Sequence, residues 1–249
     1  MSESPQHRHA EASTAPPNMR GRSNPVLLLH GGHLGAWVWD DVIRELETLG
    51  VEASAIDLPS RLPGATLADD VRETRTALQS FDAPVVLVGH SYSGAVISAA
   101  AAANGLIAHL VFAAAALPLE GQSVASSLRD EPQEQLPPRT DDDDWVLMDS
   151  SSAKLRVLND ADDEQLEAVL PRMGRYSSRI STEVPQATGW NEHASTYLVC
   201  TLDRSFPLDA QRRFARRTTR SVDIEAGHAP MVTKPVEVAR AIAEIARER

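Results

Sequence analysis

A serine at position 91 lies between an apolar run and an alanine-rich run, and this placement can expose its hydroxyl for nucleophilic attack. Residues 85–88 predict a buried strand, and residues 95–103 predict a helix. A strand, a tight turn with a serine at its apex and a helix form a nucleophile elbow. Gly89 fits the usual Gly-x-Ser-x-Gly motif, whereas Ser93 replaces its second glycine. Taken alone, these residues also fit a Gly/Ser-rich loop of a nucleotide-binding fold.

Two further side chains could activate this hydroxyl. A serine hydroxyl is a weak nucleophile near neutral pH, so it needs a base and an acid that orients the base. Asp203 follows a predicted strand at 195–201, and His228 follows another at 221–225. A lone aspartate after a strand is usually a helix cap. The pair Gly-His after a strand is far less common by chance, so it is the more informative of the two signals. The order serine, aspartate, histidine is that of one group of catalytic triads, with His228 as the base and Asp203 as its partner.

A glycine-rich turn after the first predicted strand could supply the donors that such a reaction needs. It lacks the glycine spacing of a dinucleotide-binding turn and the lysine of a P-loop. We therefore predict an oxyanion hole, in which the main-chain amides of Gly32 and Tyr92 face the bound carbonyl. Gly31, His33 and Trp145 are the predicted substrate contacts.

Strands that alternate with helices predict an α/β fold with a mostly parallel central sheet flanked by helices. In such a sheet the loops at the carboxyl ends of the strands lie together, which would bring the serine, aspartate and histidine into one site. The predicted strands are 25–30, 51–58, 85–88, 106–116, 195–201 and 221–225, and the predicted helices are 40–49, 67–81, 95–103, 207–217 and 235–249.

The composition divides the chain into a tail, a core and an insertion. Residues 1–24 predict a disordered tail, in which two histidines are solvated rather than metal-binding. Residues 25–117 and 193–249 predict the core. Residues 118–192 show no strand pattern, and we expect a mostly helical cap that shapes a pocket. Its acidic run at 141–144 lacks the spacing of a calcium loop and predicts a solvated helix start.

Charge and composition exclude several functional classes. The formal net charge of −11 disfavours binding to nucleic acid or to anionic membranes. No apolar run is long enough for a membrane span, and the N-terminus has no signal-peptide core, so we expect a cytoplasmic protein. The single cysteine, Cys200, lies in a strand pattern and is expected in the core. No metal or cofactor is expected, and a homodimer is one candidate for the oligomeric state.

Several motifs together resemble the α/β-hydrolase superfamily over residues 24–249. The closest similarity is to its branch of methylesterases and hydroxynitrile lyases. The lyases of that branch have a threonine in the oxyanion loop and a lysine after the triad histidine, whereas this chain has Gly31 and Ala229. The matching motifs are His30-Gly31-Gly32, Gly35-Ala36-Trp37-Val38-Trp39, Gly89-His90-Ser91-Tyr92, Cys200-Thr201-Leu202-Asp203-Arg204 and Gly227-His228.

The resemblance implies a cofactor-independent serine hydrolase. Such an enzyme would cleave a carboxylic ester, lactone or thioester of a small molecule through an acyl-enzyme on Ser91. Two alternatives stay open. One is a lyase or cyclase of a biosynthetic pathway that uses the same triad as acid and base. The other is a non-catalytic protein that binds a small molecule on the hydrolase fold.

Overall fold

The structure of the protein is a computed structural model that describes residues 23–128, 139–140 and 145–248. The histidines at positions 7 and 9 and the acidic run at 141–144 therefore lie outside the described residues, as does most of the predicted tail. Asn24, which was assigned to that tail, donates its amide to the carbonyl of Ala246 (2.7 Å) and belongs with the folded core.

The central sheet has six strands, and the prediction of an α/β-hydrolase sheet is confirmed. Every neighbouring pair runs parallel, in the order β2-β1-β3-β4-β8-β9. The chain moves outward from β1 to β2 and then returns to the other side of β1 as β3. This reversal creates a crevice at the carboxyl ends of β1 and β3, where parallel sheets commonly bind ligands. The strands are β1 (Val26–Leu29), β2 (Ala53–Ile56), β3 (Val85–His90), β4 (Ile107–Ala113), β8 (Ser195–Cys200) and β9 (Arg220–Ile224).

Two hydrophobic cores cover the two faces of this sheet. Successive side chains of a strand point to opposite faces, so Leu28 enters one core while Leu27 and Leu29 enter the other. Cys200 is fully buried in the first core, as predicted. The first core also receives α1 (Asp40–Thr48) and α10 (Pro235–Ala246), and the second receives α2 (Leu67–Leu78), α3 (Ser93–Ala101) and α8 (Leu208–Ala215).

The cap contains more strand than its sequence pattern predicts. Four short helices lie in its described part, but an antiparallel three-stranded sheet accompanies them. These strands are only two or three residues long, so they are too short to show an alternating pattern, and their pairing is non-local. The strands are β5 (Arg139–Thr140), β6 (Trp145–Leu147) and β7 (Tyr176–Ser177), and the helices are α4 (Val124–Ser127), α5 (Ser150–Arg156), α6 (Asp163–Val169) and α7 (Arg179–Thr182).

One predicted helix is also divided. Leu166, Val169 and Leu170 have helical spacing, which predicts one cap helix over 161–173. The structure instead forms α6 and then a separate 3₁₀ turn, Leu170–Arg172, which contains a proline. One further short helix, α9 (Pro230–Thr233), follows β9 and precedes α10. Among the residues that the structure describes, no helix is both long and apolar enough to cross a membrane.

Candidate active site

The turn after β3 holds Ser91 in a backbone conformation that few non-glycine residues adopt. Its φ is 57°, in the left-handed region. The helix that follows packs very close beneath it, because a Cβ at Gly94 would lie 2.1 Å from the carbonyl oxygen of Ala116. A Cβ at Gly89 would lie 2.7 Å from the carbonyl oxygen of Ser93. The two glycines therefore permit the close packing that keeps the serine at the apex of the turn.

Ser93, the departure from the usual motif, has a structural role. Its hydroxyl donates to the carbonyl of His30 at the end of the first strand. This bond joins the first turn of α3 to the glycine-rich turn that follows β1. A glycine at position 93 could not make it.

Two consecutive hydrogen-bond contacts connect Ser91 to His228 and His228 to Asp203. The Ser91 Oγ is 2.9 Å from His228 Nε2, and His228 Nδ1 is 2.8 Å from Asp203 Oδ2. Because a carboxylate only accepts, the Nδ1 atom carries the proton and Nε2 is left to accept from the serine hydroxyl. The side chain of Asp203 is fully buried, and that of His228 is nearly so. The arrangement can therefore transfer a proton from Ser91 to the imidazole.

Several donors fix the Asp203 carboxylate in addition to the imidazole. The amides of Ser205 (2.6 Å) and Phe206 (2.9 Å) donate to its Oδ1, and Gln211 Nε2 (3.0 Å) donates to its Oδ2. The ring of Phe206 packs 5.1 Å from the ring of His228. These partners set the carboxylate in one orientation, which in turn fixes the plane of the imidazole.

His90, the residue before the serine, supports His228 from the other side. Its Nε2 donates to the His228 carbonyl at 2.7 Å. Burial holds the pKa of His90 well below its usual range, so the ring is neutral. From the sequence, His90 is only part of the turn motif, since nothing in the sequence shows a bond across 138 positions.

The glycine-rich turn lies directly against the serine. A Cβ at Gly31 would lie 2.9 Å from Ser91 Cβ and 2.6 Å from His90 Nδ1. Within the described residues, the amides of Gly32 and Tyr92 donate to no protein acceptor. The amide of Tyr92 is free because the first amides of a helix have no intrahelical partner. Two such donors beside a nucleophile can bind a developing oxyanion.

The side chain of Tyr92 belongs to a buried polar cluster. Its hydroxyl donates to Asp70 Oδ2 (2.9 Å) and lies 2.7 Å from Ser60 Oγ. The amide of Ser60 donates to Asp70 Oδ1 at 2.8 Å. Burial raises the pKa of Asp70 to about 6. This cluster fixes the residue whose amide is the second predicted oxyanion donor.

The cap covers the glycine-rich turn with Tyr176, which is not among the site residues predicted from the sequence. A Cβ at Gly32 would lie 2.7 Å from the Tyr176 ring. That ring lies parallel to the ring of Tyr92 with centroids 6.5 Å apart, and it meets the ring of His33 edge-on at 4.6 Å. Only the tertiary position of β7 reveals this residue, because a tyrosine in a polar cap has no distinguishing pattern.

The other predicted contacts lie at the junction of core and cap. His33 Nδ1 donates to the Gly174 carbonyl, and the Gly174 amide donates to the His33 carbonyl, both at 2.8 Å. Burial lowers the pKa of His33 to about 4. Trp145 lies in β6, where the guanidinium of Arg175 covers its ring at 4.3 Å. Contact of His33 or Trp145 with substrate stays a prediction. In the described part of the chain, no three His, Cys, Asp or Glu side chains cluster as metal ligands.

Comparison with known proteins identifies the family. The chain matches the Alpha/beta hydrolase family over residues 26–241. It is 27% identical over 228 residues to the alpha/beta hydrolase nvfD of Aspergillus novofumigatus, covering 84% of this chain and 91% of that protein. It is 27% identical over 267 residues to methylesterase 7 of Arabidopsis thaliana, covering 91% and 98%. A pyrethroid hydrolase from Sphingobium faniae JZ-2 has the same fold, with a TM-score of 0.75, 23% identity and coverage of 90% and 97%. The protein belongs to the alpha/beta hydrolase family, and within that family it is similar to the methylesterases.

Proposed function

We propose that the protein is a serine esterase that hydrolyses a carboxylic ester, lactone or thioester of a small molecule. The observation that carries this proposal is the continuous chain of contacts from Ser91 Oγ through the imidazole of His228 to the buried carboxylate of Asp203. Among the described residues, the main-chain amides of Gly32 and Tyr92 have no protein acceptor, and both belong to the turns that meet at Ser91. Nucleophile, base and oxyanion donors all come from the chain, so the proposed reaction uses no cofactor.

The proposed reaction has two halves. Ser91 Oγ attacks the carbonyl carbon while its proton moves to His228 Nε2, and the amides of Gly32 and Tyr92 bind the oxyanion. The imidazolium then gives this proton to the leaving alcohol or thiol, which leaves an acyl group on Ser91. A water molecule then attacks the acyl carbon while His228 Nε2 takes its proton, and the imidazolium returns that proton to Ser91 Oγ as the acid leaves. Asp203 stabilises the charged imidazolium in both halves.

The surroundings of Gly31 favour hydrolysis over lyase chemistry. A side chain at this position would collide with the ring of His90 and with Ser91 Cβ. The turn therefore has no room for a threonine, which the lyases of the resembled branch carry there. The residue after His228 is a fully buried alanine, so the position that carries a lysine in those lyases supplies no ammonium group here. An esterase is the function that this arrangement fits best.

A fluorophosphonate probe tests the proposal, because it reacts with an activated serine. We expect one label on the wild-type protein, located on Ser91 by peptide mass spectrometry, and none on Ser91→Ala. Ser98→Ala is the matched control. This residue lies on α3, the helix that follows Ser91, and its buried hydroxyl has no hydrogen-bond partner in the described part of the chain. Its loss should leave labelling unchanged. A folded wild-type protein that takes up no label would contradict the proposal.

A panel of esters, lactones and thioesters of graded chain length then separates the remaining functions. Hydrolysis by the wild type that is lost in Ser91→Ala supports the esterase. Turnover of a substrate that Ser91→Ala largely retains would assign the acid–base role to His228 alone and favour a lyase or cyclase. Tight binding without turnover would favour a binding protein.

A further inference from the structure

We propose that two adjacent cap residues, Asn159 and Asp160, are positioning residues that hold the loops of both triad partners of the serine. The inference rests on the proposed function, since it concerns the same triad. The two residues lie in the turn between α5 and α6. We refer to them as the cap clamp.

The cap clamp bonds to the residue that precedes each triad partner. Asn159 Nδ2 donates to the carbonyl of Leu202 at 3.0 Å, directly before the aspartate. Asp160 Oδ2 accepts from the amide of Gly227 at 2.7 Å, directly before the histidine. The same oxygen accepts from Thr233 Oγ1 at 2.8 Å. One dipeptide of the cap therefore touches both loops whose relative position sets the distance from Asp203 to His228.

The fit at the histidine loop is close. A Cβ at Gly227 would lie 2.3 Å from Asp160 Oδ1 and 2.7 Å from Asn159 Oδ1. Gly227 does not have a positive φ, so its backbone conformation does not require glycine. The close approach of the cap clamp does, because it leaves no room for a side chain. Both Oδ1 atoms are buried and have no hydrogen-bond partner among the described residues.

The clamp is itself held rigidly. The residues before it, Val157 and Leu158, are buried in the first core. The carbonyl of Arg156 accepts from Ser205 Oγ at 3.0 Å, and the amide of Ser205 donates to the carboxylate of Asp203. A third link therefore runs to the aspartate loop from the end of α5, the helix that leads into the clamp. Rigid support of this kind keeps reacting groups within the small tolerances that catalysis needs.

A clamp that only attached the cap to the core would stabilise the fold without affecting the triad, so variants can separate attachment from positioning. If the cap clamp positions the triad, we expect Asp160→Ala and Asn159→Ala each to lower kcat by about ten- to a hundredfold, with KM changed less than about twofold. The downfield proton resonance of His228 Nδ1–H, which reports its bond to Asp203, should shift or broaden in both variants. Asp160→Asn keeps an oxygen for the Gly227 amide, and it should restore most of kcat and the resonance.

Asp69→Ala is the matched control. The Asp69 carboxylate also accepts one main-chain amide and one hydroxyl, both from Thr66, at the start of α2. Its loss should lower the melting temperature but leave kcat and the resonance as in the wild type. Clamp variants that lose only stability, as this control does, would overturn the proposal.

Two further outcomes are covered by the same design. If Asp160→Ala does not fold, Asn159→Ala and Thr233→Val decide, because each removes a single bond of the clamp region. An unchanged resonance and an unchanged kcat in both would overturn the proposal. If the wild-type protein takes no fluorophosphonate label, the proposed function fails, but the resonance still tests the clamp because it needs no turnover.

Discussion

At the scale of single residues, the donors and acceptors around the triad define the tautomer of the His228 imidazole. The carboxylate of Asp203 accepts from two amides and one side-chain amide in addition to the imidazole. Because this carboxylate can only accept hydrogen bonds, the neutral His228 ring must carry its proton on Nδ1, the nitrogen that faces it. The basic nitrogen therefore faces Ser91.

Asp203→Asn tests this reasoning with almost no change in shape. The new amide NH₂ would donate toward Nδ1, which would place the imidazole proton on Nε2 and remove the acceptor for the serine hydroxyl. We expect kcat for ester hydrolysis to fall on the order of 10³- to 10⁴-fold, with a similar melting temperature. Steady-state kinetics on the best ester of the panel would measure it. A loss of less than about tenfold would show that Asp203 does not set the tautomer.

Asp70 gives a prediction about pH. Burial raises its pKa to about 6 from an ordinary value of 3.8. Between these two values the folded state binds more protons than the unfolded state, so the contribution of Asp70 to stability falls as pH rises through about 6. Asp70→Asn retains an oxygen for the Ser60 amide and has no carboxyl group to ionise, so it should remove this decrease in stability with rising pH. Urea unfolding at pH 5 and pH 7.5 should show that the variant gains stability relative to the wild type at the higher pH. Equal differences at the two pH values would contradict the assignment.

At the scale of elements, the strands and helices of the core follow from local pattern, whereas the cap sheet does not. Continuous apolar runs such as Val85–Val88 are buried on both faces of a parallel sheet, so burial and sequence agree. Ser91 and Asp203 come soon after buried strands of this kind, whereas His228 follows β9, of which only the last residue is buried. Because all three strands are parallel, their carboxyl ends bring the three residues to one edge of the sheet. Trp145–Leu147 pairs with a strand about 30 positions away, and no periodicity in three residues can indicate this.

The contacts between elements were the part that the sequence could not reveal. Ser93 to His30, His90 to the His228 carbonyl and Tyr176 over Gly32 each join distant segments. The residue types involved are common in loops and in cores. Their roles depend on packing at a precision of about 1 Å, which a single sequence does not encode in any local pattern.

Tyr176 gives the prediction that belongs to the cap sheet. Its ring, rather than its hydroxyl, contacts Gly32, Tyr92 and His33. Tyr176→Phe should therefore keep KM for small esters within about twofold. Tyr176→Ala should open the space above the glycine-rich turn and raise KM by about tenfold, equivalent to about 1.4 kcal/mol. Similar KM values for both variants would show that the ring does not shape the substrate site.

At the scale of the whole molecule, buried neutral histidines dominate the response to acid. Burial lowers the pKa of His30, His33 and His109 to about 4 and holds that of His90 well below its usual range. All four side chains are buried, and each makes a hydrogen bond that fits the neutral ring. Three of them support the site, so the same burial that orders the site makes the fold sensitive to protonation.

The sign of this effect gives the last prediction. Between pH 4 and 6.5 the unfolded chain binds protons on these histidines that the folded chain does not, so stability should rise with pH across this range. The raised pKa of Asp70 changes stability in the opposite direction, but Asp70 is a single group, whereas four histidines have a lowered pKa. We expect the free energy of unfolding, measured in urea from pH 5 to pH 7, to increase by several kcal/mol, at about 1.4 kcal/mol per unit of pKa shift. His109→Gln, which lies away from the triad in β4, should make the rise shallower, whereas Asp70→Asn should make it steeper because the opposing group is removed. A wild-type stability that is flat or falling over this range would show that the fold does not lower the pKa values of these four histidines.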